Sequence, residues 1–219
     1  MGHGPVPDGT VRRVGDTWAI VVAAGSGRRY GGAKQYERLG DRRVIDWSLA
    51  TAKACTDGVV AVVAEGCDAE AAADRTVRGA ATRSGSVRAG LAAVPDEAEV
   101  IVVHDAARPL ASADLFAAVV GAVRAGADAA LPGVPVTDTL RRQDGALVDR
   151  EELVAVQTPQ AFTADRLRAV HATEPEATDD ASLIQAAGGS VVVVPGEPAN
   201  RKITDPDDLL VAAALLGAS

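Results

Sequence analysis

Short apolar runs alternate with amphipathic stretches along most of the chain, and this alternation restricts the possible folds more than any other feature of the sequence. Continuous runs of mostly valine, isoleucine and alanine cover residues 18–23, 58–64, 100–104, 127–134 and 190–195. Such runs are typical of strands that are covered on both faces. Apolar residues recur every three or four positions in residues 44–55, 86–94, 112–126, 163–172 and 179–189. The sequence therefore predicts an α/β fold with a doubly wound, mostly parallel sheet.

The two ends of the chain differ in character. Near the C-terminus, Asp205 is a good helix cap and Pro206 suits the first helical position, so a last helix over residues 205–216 is expected to close the fold. Residues 1–17 are rich in glycine, proline and charge and are predicted to form a flexible extension. Because no repeat or linker divides the remainder, residues 18–219 are predicted to form a single domain.

One segment breaks the alternation of strands and helices. Residues 136–157 contain two short alternating runs around the tripeptide Gln-Asp-Gly, which predicts a hairpin. A hairpin that projects from a doubly wound sheet has little core of its own and needs a partner surface. We therefore expect a β-arm through which the protein forms a homodimer.

Composition and charge exclude several classes of partner. The chain has 22 Lys and Arg against 30 Asp and Glu, a net charge of −8, which argues against binding of nucleic acid because that requires a broad basic face. Aromatic residues make up only 3%, too few for a row of rings that stack on bases. No stretch predicts a membrane span or a secretory signal, so a cytoplasmic location is expected. Cys55 and Cys67 are too few for a disulfide framework and are predicted to be buried thiols.

A glycine-rich loop over residues 23–36 follows the first predicted strand. Strand, glycine-rich turn and helix is the arrangement that presents backbone N–H groups to phosphate. The dinucleotide fingerprint is absent because Tyr30 stands where its last glycine is needed, and the P-loop is absent because Lys34 lies between Ala33 and Gln35. From the residues alone, a surface turn with solvated charges and an anion-binding loop both remain open.

The choice between lysine and arginine favours the anion-binding loop. Only Lys34, Lys53 and Lys202 of the 22 basic residues are lysines. A lysine kept in such a chain indicates that a compact point charge is needed. Lys53 is predicted to lie on a solvated helix face, whereas Lys34 and Lys202 are predicted to lie in loops.

Further polar residues follow the predicted strands, at the sheet edge where ligands bind in open α/β folds. They are Asp105, Arg108, Thr139 and Thr158. His104 has no serine nucleophile nearby and is interpreted as structural rather than as a base. The three histidines have no metal-ligand spacing, and Ser84 and Ser86 are interpreted as possible caps of the following helix.

Seven motifs together carry a family resemblance. AAGSGRR, KQY, HDAARP, VTDT, TPQ, TDDAS and NRKIT occur in this order between residue 18 and the C-terminus. In these motifs the chain resembles the 2-C-methyl-D-erythritol 4-phosphate cytidylyltransferases of the non-mevalonate isoprenoid pathway. The resemblance implies a Rossmann-like nucleotidyltransferase fold, a homodimer, and the reaction of CTP with the alcohol phosphate to give a CDP-alcohol and pyrophosphate.

The resemblance also implies roles for particular residues. Ala23, Ala24, Gly25, Gly27 and Ser86 would surround CTP, with Arg29 and Lys34 on its phosphates. Asp105, Arg108, Thr139, Thr158 and Lys202 would hold the methylerythritol phosphate, together with Arg150 of the partner subunit. Arg29, Lys34, Arg150 and Lys202 would thus be the catalytic cations. The implied Mg²⁺ would be bound mainly through the CTP phosphates, with Asp105 as the only protein ligand considered.

The sequence departs from the family pattern at three positions. Val22 and Ala33 replace prolines, and Ala81 stands where a nucleotide-binding acidic residue is common. Backbone groups can still read the base at that position. Two alternatives stay open. One is a sister cytidylyltransferase that acts on ribitol 5-phosphate. The other is a catalytically silent nucleotide-binding protein, and Ala81 is the only sequence feature that favours it.

Overall fold

The computed structural model describes residues 17–25, 27, 29–67 and 70–217. The strands are β1 (Thr17–Ala23), β2 (Arg38–Leu39), β3 (Arg42–Arg43), β4 (Gly58–Val63), β5 (Arg75–Arg78), β6 (Val100–Asp105), β7 (Ala129–Pro135), β8 (Leu140–Arg141), β9 (Leu147–Val148), β10 (Val154–Val156), β11 (Gln160–Thr163) and β12 (Val191–Pro195). The helices are α1 (Val44–Cys55), α2 (Arg83–Leu91), α3 (Ala113–Arg124), α4 (Ala164–His171), α5 (Asp180–Ala186) and α6 (Pro206–Gly217). Short 3₁₀ helices cover Lys34–Tyr36 and Arg150–Glu152. Apart from Thr17, the predicted flexible extension lies outside the described residues.

The central sheet has the order β10-β7-β11-β6-β1-β4-β5, and β12 also pairs with β7. β1 runs parallel to both β4 and β6, β5 parallel to β4, and β12 parallel to β7. Only β10 and β11 run antiparallel to their neighbours in this sheet. The predicted doubly wound, mostly parallel α/β fold is therefore confirmed.

Helices cover both faces of the sheet, which explains why its central strands are continuously apolar. On β1, Ala19 and Val21 face one core together with α1 and α3, whereas Ile20 faces a second core together with α2, α4 and α5. A smaller cluster joins Leu39 to Ile203 and to α6. The loop that precedes α6 is thereby packed against the rest of the fold.

The helix ends show where side-chain caps were assigned correctly and where they were not. The amide of Asp208 donates to the carboxylate of Asp205 over 3.0 Å, as expected for the predicted cap of α6. The cap of α2 is Thr82, whose hydroxyl accepts from the amide of Gly85 over 3.0 Å. The prediction that Ser84 or Ser86 caps this helix was therefore wrong, because α2 begins at Arg83 and includes both serines.

Three strands of the sheet were not predicted. β5 has the sequence RTVR and lies at an edge of the sheet, where half of its residues are exposed. β10 has only three residues, and each of them is exposed. β11 has the polar-ended sequence QAFT and is inserted antiparallel between β6 and β7. All three are too short or too polar to give a clear strand pattern.

The segment between β7 and β10 contains a small separate hairpin. β8 and β9 pair antiparallel, and Gly145 in their turn has φ of 90°, a conformation that favours glycine. Leu147 is 66% exposed on this hairpin. The hairpin buries little apolar surface against its own chain.

Other details concern cysteines, lysines and membranes. Cys55 and Cys67 are free and half-buried, so the prediction that both thiols are buried was wrong. Both cysteines pack only against the margin of a core cluster, which explains their partial exposure. Lys53 is not simply solvated but forms an ion pair with Asp74. Within the described residues, no helix is long and apolar enough to cross a membrane.

Replacing Gly90 by alanine tests how closely α2 packs on the sheet. A Cβ atom there would lie 2.5 Å from Cγ2 of Ile20 and 3.0 Å from Cγ2 of Val62. We expect the free energy of unfolding to fall by about 1–3 kcal/mol through overpacking. The matched control is Gly121→Ala on α3, where a Cβ meets nothing within 4 Å. That change should raise stability by up to about 1 kcal/mol because alanine favours helix. Equal effects in urea denaturation would contradict this packing.

Candidate active site

The loop after β1 is shaped by one buried side chain and one obligatory glycine. The buried amide of Gln35 donates to the carbonyl of Ala23 over 2.7 Å and to that of Gly25 over 3.3 Å. Gly27 has φ of +62°, and a Cβ there would lie 1.7 Å from the carbonyl oxygen of Gly32. No other residue fits at that position. Lys34, predicted to lie in a loop, is instead the first residue of a 3₁₀ helix.

The N-terminal end of α2 forms the opposite wall of a cleft. Gly79 lets the backbone approach closely, because a Cβ there would lie 2.3 Å from Cβ of Ala24 and 2.8 Å from Oγ of Ser86. The hydroxyl of Ser86 accepts from the amide of Ala80 over 3.1 Å and donates to the carbonyl of Thr82 over 2.8 Å. Ser86 thus fixes the backbone on either side of Ala81, which lines the cleft.

This first pocket has a volume of about 580 Å³. The residues predicted to surround CTP and its phosphates all line it: Ala23, Ala24, Gly25, Gly27, Arg29, Lys34 and Ser86. The loop and the start of α2 are therefore brought together around one cavity.

A second pocket of about 360 Å³ adjoins the first. Its lining includes four of the six predicted acceptor-site residues, namely Asp105, Arg108, Thr158 and Lys202. Arg83, Asp105 and Lys202 line both pockets, so these three side chains mark the junction between the two cavities.

The charges at the junction are strongly coupled. Nζ of Lys202 donates to Oδ2 of Asp105 over 2.6 Å. Burial alone would raise the pKa of Asp105, but Lys202 and Arg83 outweigh it and lower the pKa to about 2. Burial, with Lys202 and Arg29 nearby, lowers the pKa of Lys34 below its ordinary value. A group of cations with one carboxylate suits a ligand with several negative charges.

The loop that carries Lys202 is tied down by buried amides. The side chain of Asn200, which is fully buried, donates to the carbonyl of Thr158 over 2.9 Å. Gln157 donates to the carbonyl of Glu197 over 2.8 Å. Arg108 donates to the carbonyl of Asn200 over 2.8 Å. Residues of the second pocket and of this loop are therefore joined in one hydrogen-bond network.

His104 is fully buried, and both of its ring nitrogens are occupied, as expected for a structural residue. The carbonyl of Arg108 can only accept, so Nε2 of His104, 3.2 Å away, carries the proton. Nδ1 then accepts from the hydroxyl of Thr158 over 3.1 Å. The same hydroxyl accepts from the amide of Asp105 over 3.0 Å. His104 thus holds the end of β6 in place and is too enclosed to act as a base.

Two predicted acceptor-site residues do not reach the pockets within one chain. Thr139 and Arg150 are exposed, and the guanidinium of Arg150 donates to the carbonyl of Thr137. Neither residue lines either of these two pockets. Both belong to the segment that carries the exposed hairpin.

Sequence reasoning missed Gln35, Gln157, Asn200 and Arg83. The first three support loops through buried amide groups. Gln35 and Asn200 lie in the motifs KQY and NRKIT, but the motifs gave no role to either residue. Arg83 is one of nineteen arginines, so its type carried no information. Its position at the start of a helix after a glycine-rich strand end was the only available clue.

Within the described residues, no group of three or more His, Cys, Asp or Glu side chains could hold a metal ion. Asp105 is the only carboxylate among the described residues that line the first pocket. Its two oxygens already face Lys202 and Arg83. Among the described residues of this pocket, a metal ion would thus find at most one carboxylate ligand.

Comparison with known proteins decides the family. The sequence model of IspD, 2-C-methyl-D-erythritol 4-phosphate cytidylyltransferase, matches residues 17–218. The chain belongs to this family. The enzyme of that name from Nocardia farcinica is 44% identical over 220 residues, which cover 92% of this chain and 94% of that protein. A crystal structure of the cytidylyltransferase from Thermus thermophilus matches with a TM-score of 0.81 and 36% identity, and the match covers 92% of this chain and 98% of that one.

Other relatives of the cytidylyltransferase family are longer. A bifunctional IspD/IspF enzyme from Dinoroseobacter shibae is 46% identical over 214 residues, which cover 90% of this chain but only 53% of that protein. The chain thus spans about half the length of the bifunctional relatives that it matches.

The burial of His104 predicts a pH dependence of folding. Burial lowers the pKa of His104 from 6.5 to about 4. As the pH falls below 6.5, the ring therefore takes up a proton in the unfolded chain but not in the folded protein. The contribution of this group to the free energy of unfolding is therefore largest above pH 6.5 and falls steadily until about pH 4. The loss should amount to about 3 kcal/mol.

Urea denaturation between pH 7 and pH 4 measures this loss. The variant His104→Gln, which has no titrating ring, should show a much flatter profile in the same window. The depressed pKa of Asp105, about 2, acts only at lower pH. Equal slopes for the wild type and the variant would contradict this account.

Proposed function

We propose that the protein transfers a cytidylyl group from CTP to 2-C-methyl-D-erythritol 4-phosphate, giving 4-diphosphocytidyl-2-C-methyl-D-erythritol and pyrophosphate for isoprenoid precursor synthesis. The observation that carries this proposal is the pair of adjoining pockets that share Asp105, Lys202 and Arg83, in a chain of this family. One pocket is suited to a nucleoside triphosphate and the other to an alcohol phosphate.

The reaction requires correct positioning of the two substrates and no catalytic base. An oxygen of the acceptor phosphate attacks the α-phosphorus of CTP, a new P–O bond forms, and the bond to the bridging oxygen breaks with release of pyrophosphate. The acceptor phosphate is already ionised at neutral pH, so no proton has to be removed. Arg29 and Lys34, which line the nucleotide pocket, would stabilise the charge that develops on the α-phosphate and on the leaving group.

The acceptor would be held on the other side of the junction. Lys202 and Arg108 supply cations for its phosphate, and the ionised Asp105 and the hydroxyl of Thr158 supply hydrogen-bonding groups for its alcohol functions. Ala23, Ala24, Gly25 and Gly27 would follow the triphosphate with their backbone. The backbone around Ala81, which Ser86 fixes, would read the base in place of an acidic side chain.

Magnesium fits this site only as a partner of the nucleotide. The single carboxylate of the pocket, Asp105, is occupied by Lys202, so the triphosphate itself would provide most ligands to Mg²⁺. When bound, the cation would neutralise phosphate charge and help to orient the triphosphate.

We further propose a homodimer that is formed through the arm. Leu147, Leu153, Val154 and Val156 are exposed there, and Val192 and Val193 are exposed on the neighbouring β12. An exposed apolar strip of this kind on a sheet edge is typical of an interface. The free cysteines suit a reducing compartment, which supports a cytoplasmic location.

The direct test of the function is pyrophosphate release from CTP and Mg²⁺ with methylerythritol phosphate, and in parallel with ribitol 5-phosphate. We expect turnover with the first acceptor. Turnover only with ribitol 5-phosphate would identify the sister activity, and release with neither would favour a catalytically silent protein.

Substitution of Lys34 tests its role in the transition state. Lys34→Ala should lower kcat by about 10²-fold or more, since a preorganised electrostatic contact is lost. Lys53→Ala is the matched control, because Lys53 lies on α1, pairs with Asp74 and lines neither pocket. If kcat stays unchanged and only the KM for CTP rises, Lys34 binds the nucleotide without acting in the reaction.

Mixed dimers test whether the arm completes the neighbouring site. If Arg150 serves the partner's acceptor pocket, inactive Arg150→Ala chains mixed with inactive Lys34→Ala chains should regain about a quarter of the wild-type activity, because each heterodimer has one intact site. The control replaces Arg142, which lies in the turn of the exposed hairpin; Arg142→Ala should stay active by itself. Full activity of Arg150→Ala, or no recovery despite proven subunit exchange, would refute the shared site.

A further inference from the structure

Arg83 lies at the junction of the two pockets, and its guanidinium is bound by a carboxylate that lines neither of them. It is the first residue of α2, and its side chain is 24% exposed. Its Nη1 donates to Oδ2 of Asp180 over 2.7 Å. Its Nε lies 3.8 Å from Oδ1 of Asp105. The guanidinium therefore bridges a carboxylate in the pocket and a carboxylate behind it.

The rear carboxylate, Asp180, is fully buried and lines neither pocket. Its second oxygen, Oδ1, accepts from Nε2 of the buried His171 over 2.9 Å. Burial favours the neutral acid, but His171 and Arg83 outweigh it and hold the pKa of Asp180 below its ordinary value. A buried carboxylate with both oxygens engaged is a fixed anchor for the guanidinium.

The front carboxylate, Asp105, is enclosed by cations on both sides. Lys202 holds Oδ2 from the loop before α6, and Arg83 faces Oδ1 from α2. Lys202 alone leaves the carboxylate free to rotate about its side-chain bonds. A second cation that is itself anchored restricts that rotation, because the rigid planar fork of arginine holds its direction.

We propose that Arg83 is a positioning residue, which the Asp180–His171 pair holds in place and which in turn orients the carboxylate of Asp105 for the alcohol groups of the acceptor. The inference rests on the proposed function for the identity of the acceptor. The contribution of Arg83 passes through Asp105, so it concerns binding of the acceptor rather than of the nucleotide. Preorganisation of this kind lowers the cost of ordering the site when the substrate binds.

A purely structural ion pair between α2 and α5 is the competing explanation, and Arg88 provides the matched control for it. Arg88 lies on the same helix and donates to the carbonyl of Pro175 over 2.9 Å and to Glu176 over 3.1 Å. It thus ties α2 to the segment just before α5, but it lines neither of the two pockets. A general loosening of this region should appear in both arginine variants.

The experiment measures kcat and both KM values for Arg83→Lys, Asp180→Asn and Arg88→Lys, each alone and in an Asp105→Asn background. We expect Arg83→Lys and Asp180→Asn to raise the KM for the alcohol phosphate about tenfold and the KM for CTP less than about threefold, with no such effect of Arg88→Lys. In the Asp105→Asn background, Arg83→Lys should raise the KM for the alcohol phosphate by less than about twofold, because the carboxylate through which Arg83 acts is already absent. Thermal unfolding identifies any variant that fails to fold, and the remaining variant then carries the comparison.

Several results would overturn the inference. The first is that Arg83→Lys and Asp105→Asn multiply each other's effect on the KM for the alcohol phosphate. The second is an equal rise of the KM for CTP and for the alcohol phosphate, and the third is the same rise for the alcohol phosphate in Arg88→Lys. Wild-type turnover separates this failure from that of the proposed function. Normal turnover with multiplicative variant effects contradicts only the role of Arg83, whereas a wild-type chain that binds neither alcohol phosphate in calorimetry contradicts both.

Discussion

The ion pair between Asp105 and Lys202 is the contact on which the candidate site depends. It joins the carboxyl end of a central strand to the loop before the last helix, 97 positions away in sequence. Both pockets meet at this pair. Because buried charges are stable only when they are paired, the loop that carries Lys202 has to be fixed firmly, and the buried Asn200 and Gln157 fix it.

The distribution of charge gives an acidic protein a cleft that is lined mainly by cations. The chain as a whole carries −8, yet Arg29, Lys34, Arg83 and Lys202 all line one cleft with a single carboxylate. The repulsion of Lys34 by Lys202 and Arg29 is a cost in the free protein that bound phosphate groups would relieve. A site of this kind stabilises charge where it develops in the transition state and needs no catalytic base.

The central strands and the helices could be predicted from the sequence because their apolar patterns are long and regular. α1 lies where the pattern predicted it, at Val44–Cys55. β11 could not be predicted, since four residues with polar ends carry no clear period and its antiparallel insertion depends on tertiary pairing. The cap of α2 was missed because Thr82, Ser84 and Ser86 all have hydroxyl groups that can cap a helix, and only the backbone path selects Thr82.

In the candidate site, the loop residues, Asp105 and Lys202 were marked by glycine pattern, strand ends and rare lysines, and their roles came from the family resemblance. Gln35, Asp180 and Asn200 lie in the motifs KQY, TDDAS and NRKIT, but the motifs gave no role to these residues. Their supporting roles depend on tertiary contacts, which a sequence pattern does not show.

The central claim is that the protein aligns the two phosphates for one direct displacement and takes no covalent part in it. Among the described residues, no cysteine or histidine lines either pocket. The most direct measurement is the stereochemistry at the α-phosphorus when a single diastereomer of α-thio-CTP is used with the alcohol phosphate. The account predicts inversion of configuration, as a single in-line step requires. Retention would show two successive displacements through a cytidylyl-enzyme intermediate and would contradict it.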